Sequence, residues 1–172
     1  MNFADLITKR YSLRKFSPVP VESEKLAVLF TAARLAPTAG NRQPHKILVI
    51  QSEKGLSKID LASPCRFDAP AVLVICSDRN ISWKRKFDGA DACIVDGSIV
   101  GAHIMLQAAD IGLGSCWVMH FDPGVIRREF NLPPEIFPVA LILLGYPAAD
   151  AAPEEFHFQR RPLEEILVFE SF

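Results

Sequence analysis

The chain has 172 residues, 49% of them hydrophobic and 23% charged, with a net charge of -1. That balance fits one globular domain or one protomer of a compact oligomer, and gives no reason to expect a nucleic-acid partner. The four cysteines, Cys65, Cys76, Cys93 and Cys116, form no C-x-x-C pair and have no histidine cluster beside them, which argues against a metal site or a disulfide framework.

Residues 3–9 predict a short first helix. The opening M-N-F-A-D-L-I-T-K-R lacks a basic start followed by an apolar stretch, so it does not read as a secretory signal, and a reducing cytoplasm is the simplest home. In the run R-Y-S-L-R, an extended backbone would point Arg10, Ser12 and Arg14 one way and Tyr11 and Leu13 the other. Two guanidiniums and a hydroxyl on one face suit a phosphate. A solvated strand with alternating charges has the same pattern.

Residues 22–35 predict a helix from the spacing of Leu26, Leu29, Phe30 and Ala33, and Pro37 ends it. The apolar runs at 46–51, 71–77, 116–119 and 139–144 predict strands buried on both faces. Lys84-Arg85-Lys86, beside Asp88 and Asp91, reads as a solvated loop. Residues 91–111 predict a long helix, apolar around almost its whole circumference and so buried in a core or at a subunit interface. Asp96, His103, Gln107 and Asp110 interrupt the run, which rejects a membrane span. Gly97 and Gly101, four apart, would permit close helix–helix approach, and Gly112 or Gly114 would stop the helix. Cys76 and Cys116 read as buried, inert thiols. The tail, 148–172, opens on a Pro/Ala/Asp/Glu-rich linker and carries a strand-like run at Ile166–Phe169. A strand after a long linker can add to a neighbouring protomer's sheet.

The run A-R-L-A-P-T-A-G-N-R-Q-P-H places Thr38, Asn41 and Gln43 around a flexible Gly40. Uncharged donors and acceptors of this kind suit the rim of a flat heteroaromatic ring, and equally a polar loop between helix and strand. The segment G-L-G-S-C-W-V-M-H follows a helix and lacks a third glycine, so it is not a dinucleotide-binding turn.

Four segments in this order, R-x-S-x-R, A-P-T-A-G-N-x-Q-P, G-L-G-S-C-W and V-A-L-I-L-L-G-Y-P, with the closing R-R-P-L-E-E, resemble the FMN-dependent nitroreductase family over essentially the whole chain. The resemblance implies an α+β sandwich over residues 1–172, a mostly antiparallel sheet between helices. It implies a homodimer that shares its long helices, with a domain-swapped C-terminal tail at 148–172. It also implies FMN bound at the dimer interface. Arg10, Tyr11, Ser12 and Arg14 would bind the cofactor from one protomer, with Arg160 and Arg161 joining the phosphate grip. Pro37, Thr38, Ala39, Asn41 and Gln43 would reach the flavin from the other protomer, and Trp117, Val118 and Met119, leading to His120, would pass near the ring. Arg14 is the candidate for the flavin N1/O2 edge.

The implied activity is reduction of nitroaromatics, quinones or similar small electron acceptors with NAD(P)H, by alternating half-reactions, with no side-chain nucleophile. Other redox chemistry on the same fold (dehalogenation, azoline oxidation) and a flavin-binding or redox-sensing module without turnover are the alternatives. Three positions depart from the family pattern. Tyr11 stands where many relatives have a basic residue, His45 where an aromatic is frequent, and His120 where small residues are frequent. His120 is read either as a titratable group at the open flavin face or as a surface residue. His103 is read as a satisfied core or interface residue, and His157 as a tail contact.

Overall fold

The structure, a computed structural model, describes residues 2–172. Its nine helices and strands run α1 (Phe3–Lys9), α2 (Ser23–Leu35), β1 (His45–Ile50), α3 (Glu53–Ala62), β2 (Ala71–Asp78), α4 (Cys93–Asp110), β3 (Gly114–Val118), α5 (Pro123–Glu129) and β4 (Ile136–Gly145). The sheet order is β1-β2-β4-β3, and every neighbouring pair is antiparallel.

Both faces of this sheet are covered, which is why its strands are continuously apolar. On β2, Ala71, Leu73 and Ile75 join one core, packed with Leu29 of α2 and Val100 and Ile104 of α4. Val72, Val74 and Cys76 join the other, with Ile59 of α3 and Ile126 of α5. Burial pushes the Cys76 thiol up to about 12, consistent with an inert side chain. Among the described residues, no helix is long and apolar enough to cross a membrane.

α3 and α5 are additional to the elements expected from the sequence. The inward-facing apolar members of α3, Leu56, Ile59 and Ala62, stand three apart, and the Ser52 hydroxyl caps it by accepting the Gly55 N–H. α5 has only seven residues, started by Asp122 as cap and Pro123 in the first turn. A single turn or two carries too little period to stand out.

Gly97 and Gly101 serve helix–sheet rather than helix–helix approach. A Cβ on Gly97 would lie 2.9 Å from Val139 Cγ2 of β4, and one on Gly101 would overlap the Trp117 ring of β3. The end of α4 is a Schellman turn: Gly112, at φ 79°, donates to Ala109 O, and Leu113 donates to Ala108 O at 2.8 Å. Ile94 and Val95 of α4 remain exposed, so this helix is not buried all round within one protomer.

Ile166–Phe169 forms no strand; it follows a short 3-10 turn, Leu163–Glu165, and stays exposed. A strand needs a paired edge, and this segment has no strand partner among the described residues of its own chain.

Replacing Gly101 by Ala adds helix propensity but forces the methyl into Trp117. The overpacking term is larger, so Gly101→Ala is expected to destabilise by about 1–3 kcal/mol. Thermal unfolding checks it, and an unchanged or raised midpoint would refute the close approach.

Candidate cofactor site

The R-Y-S-L-R segment leaves α1 at Arg10 and runs beside β3. Ser12 forms a parallel bridge with Ser115, and Leu13 N–H donates to Ser115 O at 2.9 Å. Leu13 is 1% exposed and seals against Gly114, where any Cβ would collide with it. Gly114 is therefore needed for this contact, while Gly112 ends the helix.

A cavity of about 500 Å³ opens on the other side of the segment, lined by Arg10, Tyr11, Ser12, Arg14, His157 and Arg160, with Glu154 and Phe156 completing it. Tyr11 thus shares the cavity with the two arginines instead of facing away. A single bridge following a helix end does not impose flat strand alternation. The Tyr11 ring meets His157 edge-on, with centroids 6.3 Å apart, so His157 is a tail contact.

Three guanidiniums and one carboxylate line this space. Arg10 Nη1 is buried without a hydrogen-bond partner, an arrangement that costs free energy unless an acceptor arrives. Arg14 is exposed, with a long 3.4 Å bond from Nη1 to Ser12 O. Arg160 Nη1 donates to Gln159 O at 2.7 Å. Arg161 does not line the cavity; it pairs with Glu165 at 3.0 Å. Burial pushes the Cys116 thiol up, and the Arg14 guanidinium and Ser12 hydroxyl oppose that shift.

Residues 37–43 lie outside the cavity lining. They form a 3-10 turn, Ala39–Asn41, with Gly40, Asn41 and Gln43 all in the left-handed region. Gln43 N–H donates to Thr38 Oγ1 at 3.0 Å, and Gln43 Nε2 to Asn41 Oδ1 at 3.1 Å. Asn41, Gln43 and Pro37 are exposed, Thr38 and Ala39 half-buried. Trp117 is tucked against α4 and Val118 belongs to the second core, leaving Met119 and His120 exposed after β3. His120 Nδ1 lies 3.9 Å from Cys65 Sγ, and its carbonyl accepts the Ser63 hydroxyl. His103 bonds its own helix, Nδ1 to Ile99 O at 2.9 Å.

Sequence reading passed over Glu154 and Phe156, which line the cavity, and Asp96, whose Oδ1 accepts the Ala39 N–H at 2.9 Å. Glu154 ends the linker and Phe156 lies in the short 3-10 turn that follows, Glu155–His157, where spacing has no period to read. Asp96 does carry a signal: an acidic residue inside an apolar helix.

A family model, the nitroreductase family, matches residues 7–66 and 61–146. The chain belongs to the nitroreductase family. Among solved structures, a nitroreductase family protein from Clostridium difficile 630 is 43% identical, covers 100% of both chains and superposes with a TM-score of 0.93. An FMN-dependent nitroreductase from Clostridium difficile R20291 is 28% identical over 99% of this chain and 100% of its own, with a TM-score of 0.79. A Methanothermobacter thermautotrophicus relative, whose name joins NADH dehydrogenase with NAD(P)H nitroreductase, is 30% identical over 93% of this chain and 88% of its own.

Within this nitroreductase fold, His45 gives a pH signature. Burial lowers its pKa from 6.5, against an opposing pull from Asp96. The unfolded chain then binds more protons between the two values, so this contribution is present above about pH 6.5 and is lost as pH falls below it. His45→Phe is expected to flatten that part of the stability–pH curve, measured by urea unfolding. An unchanged curve would count against the burial argument.

Proposed function

We propose that the chain is an FMN-dependent oxidoreductase that takes electrons from NAD(P)H and passes them to small electron-poor acceptors, nitroaromatics or quinones, in alternating half-reactions. The observation that carries this reading is the convergence of Arg10, Arg14 and Arg160 on one cavity, with Arg10 Nη1 buried and unanswered. A terminal phosphate carries about -1.5 to -2 charge near neutral pH, and guanidinium forks meet it in charge-assisted bonds. The names of the relatives support the same cofactor and donor: FMN in the R20291 protein, NAD(P)H in the archaeal one.

When bound, FMN supplies the electron carrier that the protein's own side chains lack. Arg10, Ser12 and Arg160 would bind its phosphate, next to Tyr11. Arg14, exposed and loosely held, is free to answer charge beyond the phosphate, at the N1/O2 edge. Arg161, as the next residue after Arg160, contributes to the field of the tail. Pro37, Thr38, Ala39, Asn41 and Gln43 would form the polar rim of the ring, and the segment Trp117–Met119 would back it. No side-chain nucleophile enters this reading.

The reading includes a homodimer. Residues 37–43 are absent from the lining of the clamp cavity, and in this reading a second chain brings the loop to the clamp. Exposed Ile94 and Val95 on α4, and Phe158, Ile166, Leu167, Val168 and Phe169 on the tail, give apolar surface for it to cover. The tail of residues 148–172 would exchange between protomers. Light scattering is expected to give twice the chain mass; a flavin-loaded monomer would overturn this.

The protein is expected to purify yellow and to release FMN on heating, identified by chromatography. It is expected to oxidise NAD(P)H in the steady state with a nitro compound or quinone. Flavin binding without turnover would favour a sensing module. Arg10→Ala is expected to weaken FMN binding by about ten- to a hundredfold, the loss of one charge-assisted bond. Arg14→Ala, at saturating FMN, is expected to lower the reduction potential instead. The reverse pattern would show that the two roles are exchanged.

A further inference from the structure

Asp96 sits in the first turn of α4 and is 1% exposed. Its Oδ1 accepts the Ala39 N–H at 2.9 Å, and its Oδ2 is buried with no partner. His45 Nδ1 is likewise buried and unpartnered, and the carboxylate acts on the imidazole electrostatically. A buried carboxylate with one unanswered oxygen is costly, so its place calls for a reason. The positive end of α4 offsets part of the cost.

The loop supplies the reason. Gly40, Asn41 and Gln43 all hold φ between 49° and 57°, and two of the three are not glycine. Such backbone persists only where its surroundings over-determine it. The loop's remaining hydrogen bonds are internal: Asn41 N–H to Thr38 O, Arg42 N–H to Ala39 O, and Gln43 to Thr38 and Asn41. Among the described residues, the bond from Ala39 to Asp96 is the only one that ties residues 38–43 to another element. Gly40 packs against the Trp83 indole, where a Cβ would lie 3.2 Å from Cδ1.

We infer that Asp96 is a positioning residue for the cofactor: it pins Ala39 to α4 and so holds the strained turn in the shape that presents Thr38, Asn41 and Gln43 to the flavin. This rests on the cofactor reading above. In the proposed dimer the carboxylate of one protomer shapes the rim around the flavin gripped by the other's arginines. The acceptor oxygen is what matters, rather than the negative charge, so an amide in the same place suffices.

Three variants test this. Asp96→Ala removes the acceptor, Asp96→Asn keeps one, and Ala39→Pro removes the donor. Ala39 opens the 3-10 turn and follows an extended Thr38, a position that tolerates proline. In FMN-free protein, hydrogen exchange over residues 38–43 is expected to speed up in Asp96→Ala and Ala39→Pro and to stay wild-type in Asp96→Asn. With FMN, the dissociation constant is expected to rise about tenfold in the first two and to move by less than about threefold in the third. The potential of the bound flavin is expected to shift in the first two only.

Wild-type exchange and affinity in Asp96→Ala would overturn the proposal, as would an Asp96→Asn protein as impaired as Asp96→Ala. A melting point lowered without change in exchange, affinity or potential would mean a purely structural role and would also overturn it. Should Asp96→Ala fail to fold, Ala39→Pro against Asp96→Asn decides. A wild-type protein that takes up no FMN would sink the cofactor reading, while the exchange measurements would still decide whether Asp96 holds the loop.

Discussion

Leu13 lies against the bare backbone of Gly114, and the position of the arginines follows from that contact. With Leu13 sealed against β3, Arg10, Tyr11, Ser12 and Arg14 are left toward the cavity that the tail closes. The same strand is fixed from the other direction by Gly101, whose missing side chain lets Trp117 slide under α4. Two absent Cβ atoms therefore set the height of β3 between the clamp and the long helix. Close-packed interiors turn such small absences into firm placement, because a shift of one layer would open a void in the next.

Polar groups deep in the fold cluster around the two halves of the candidate site. Arg10 Nη1 and Ser115 Oγ are buried and unpartnered at the clamp, and Asp96 Oδ2 and His45 Nδ1 at the loop. In a fold whose cores are otherwise aliphatic, unsatisfied groups of this kind are concentrated where ligand or partner atoms are expected. Most of the ion pairs are solvent-facing, as with Lys15 and Asp150 at 2.8 Å. Those contribute little to stability.

How much of this was legible in the sequence follows from the range of each interaction. The long helix and the four strands announce themselves through apolar period, and their ends fall within three residues of expectation. α3 and α5 rest on caps, Ser52 and Asp122, that a reading of apolar spacing overlooks. The clamp arginines are visible as a local pattern, but strand alternation turns Tyr11 away from them, whereas one bridge holds the chain there and Tyr11 lines the same cavity. Glu154 and Phe156 come from the end of a linker and the turn after it, whose placement is set by contacts far away in sequence. Ile166–Phe169 has the composition of a strand but no edge in its own chain to pair with, and composition alone cannot supply one.

The separation of clamp and loop within one chain has a genetic consequence. In the proposed dimer each site draws its clamp from one copy and its rim from the other. A chain damaged only at Arg10 and a chain damaged only at Asp96 would, in a mixed pair, put both lesions into one site. The other site would be whole. Two alleles that each abolish function would then complement one another, up to half the normal number of sites per mixed pair, with neither protein having been repaired.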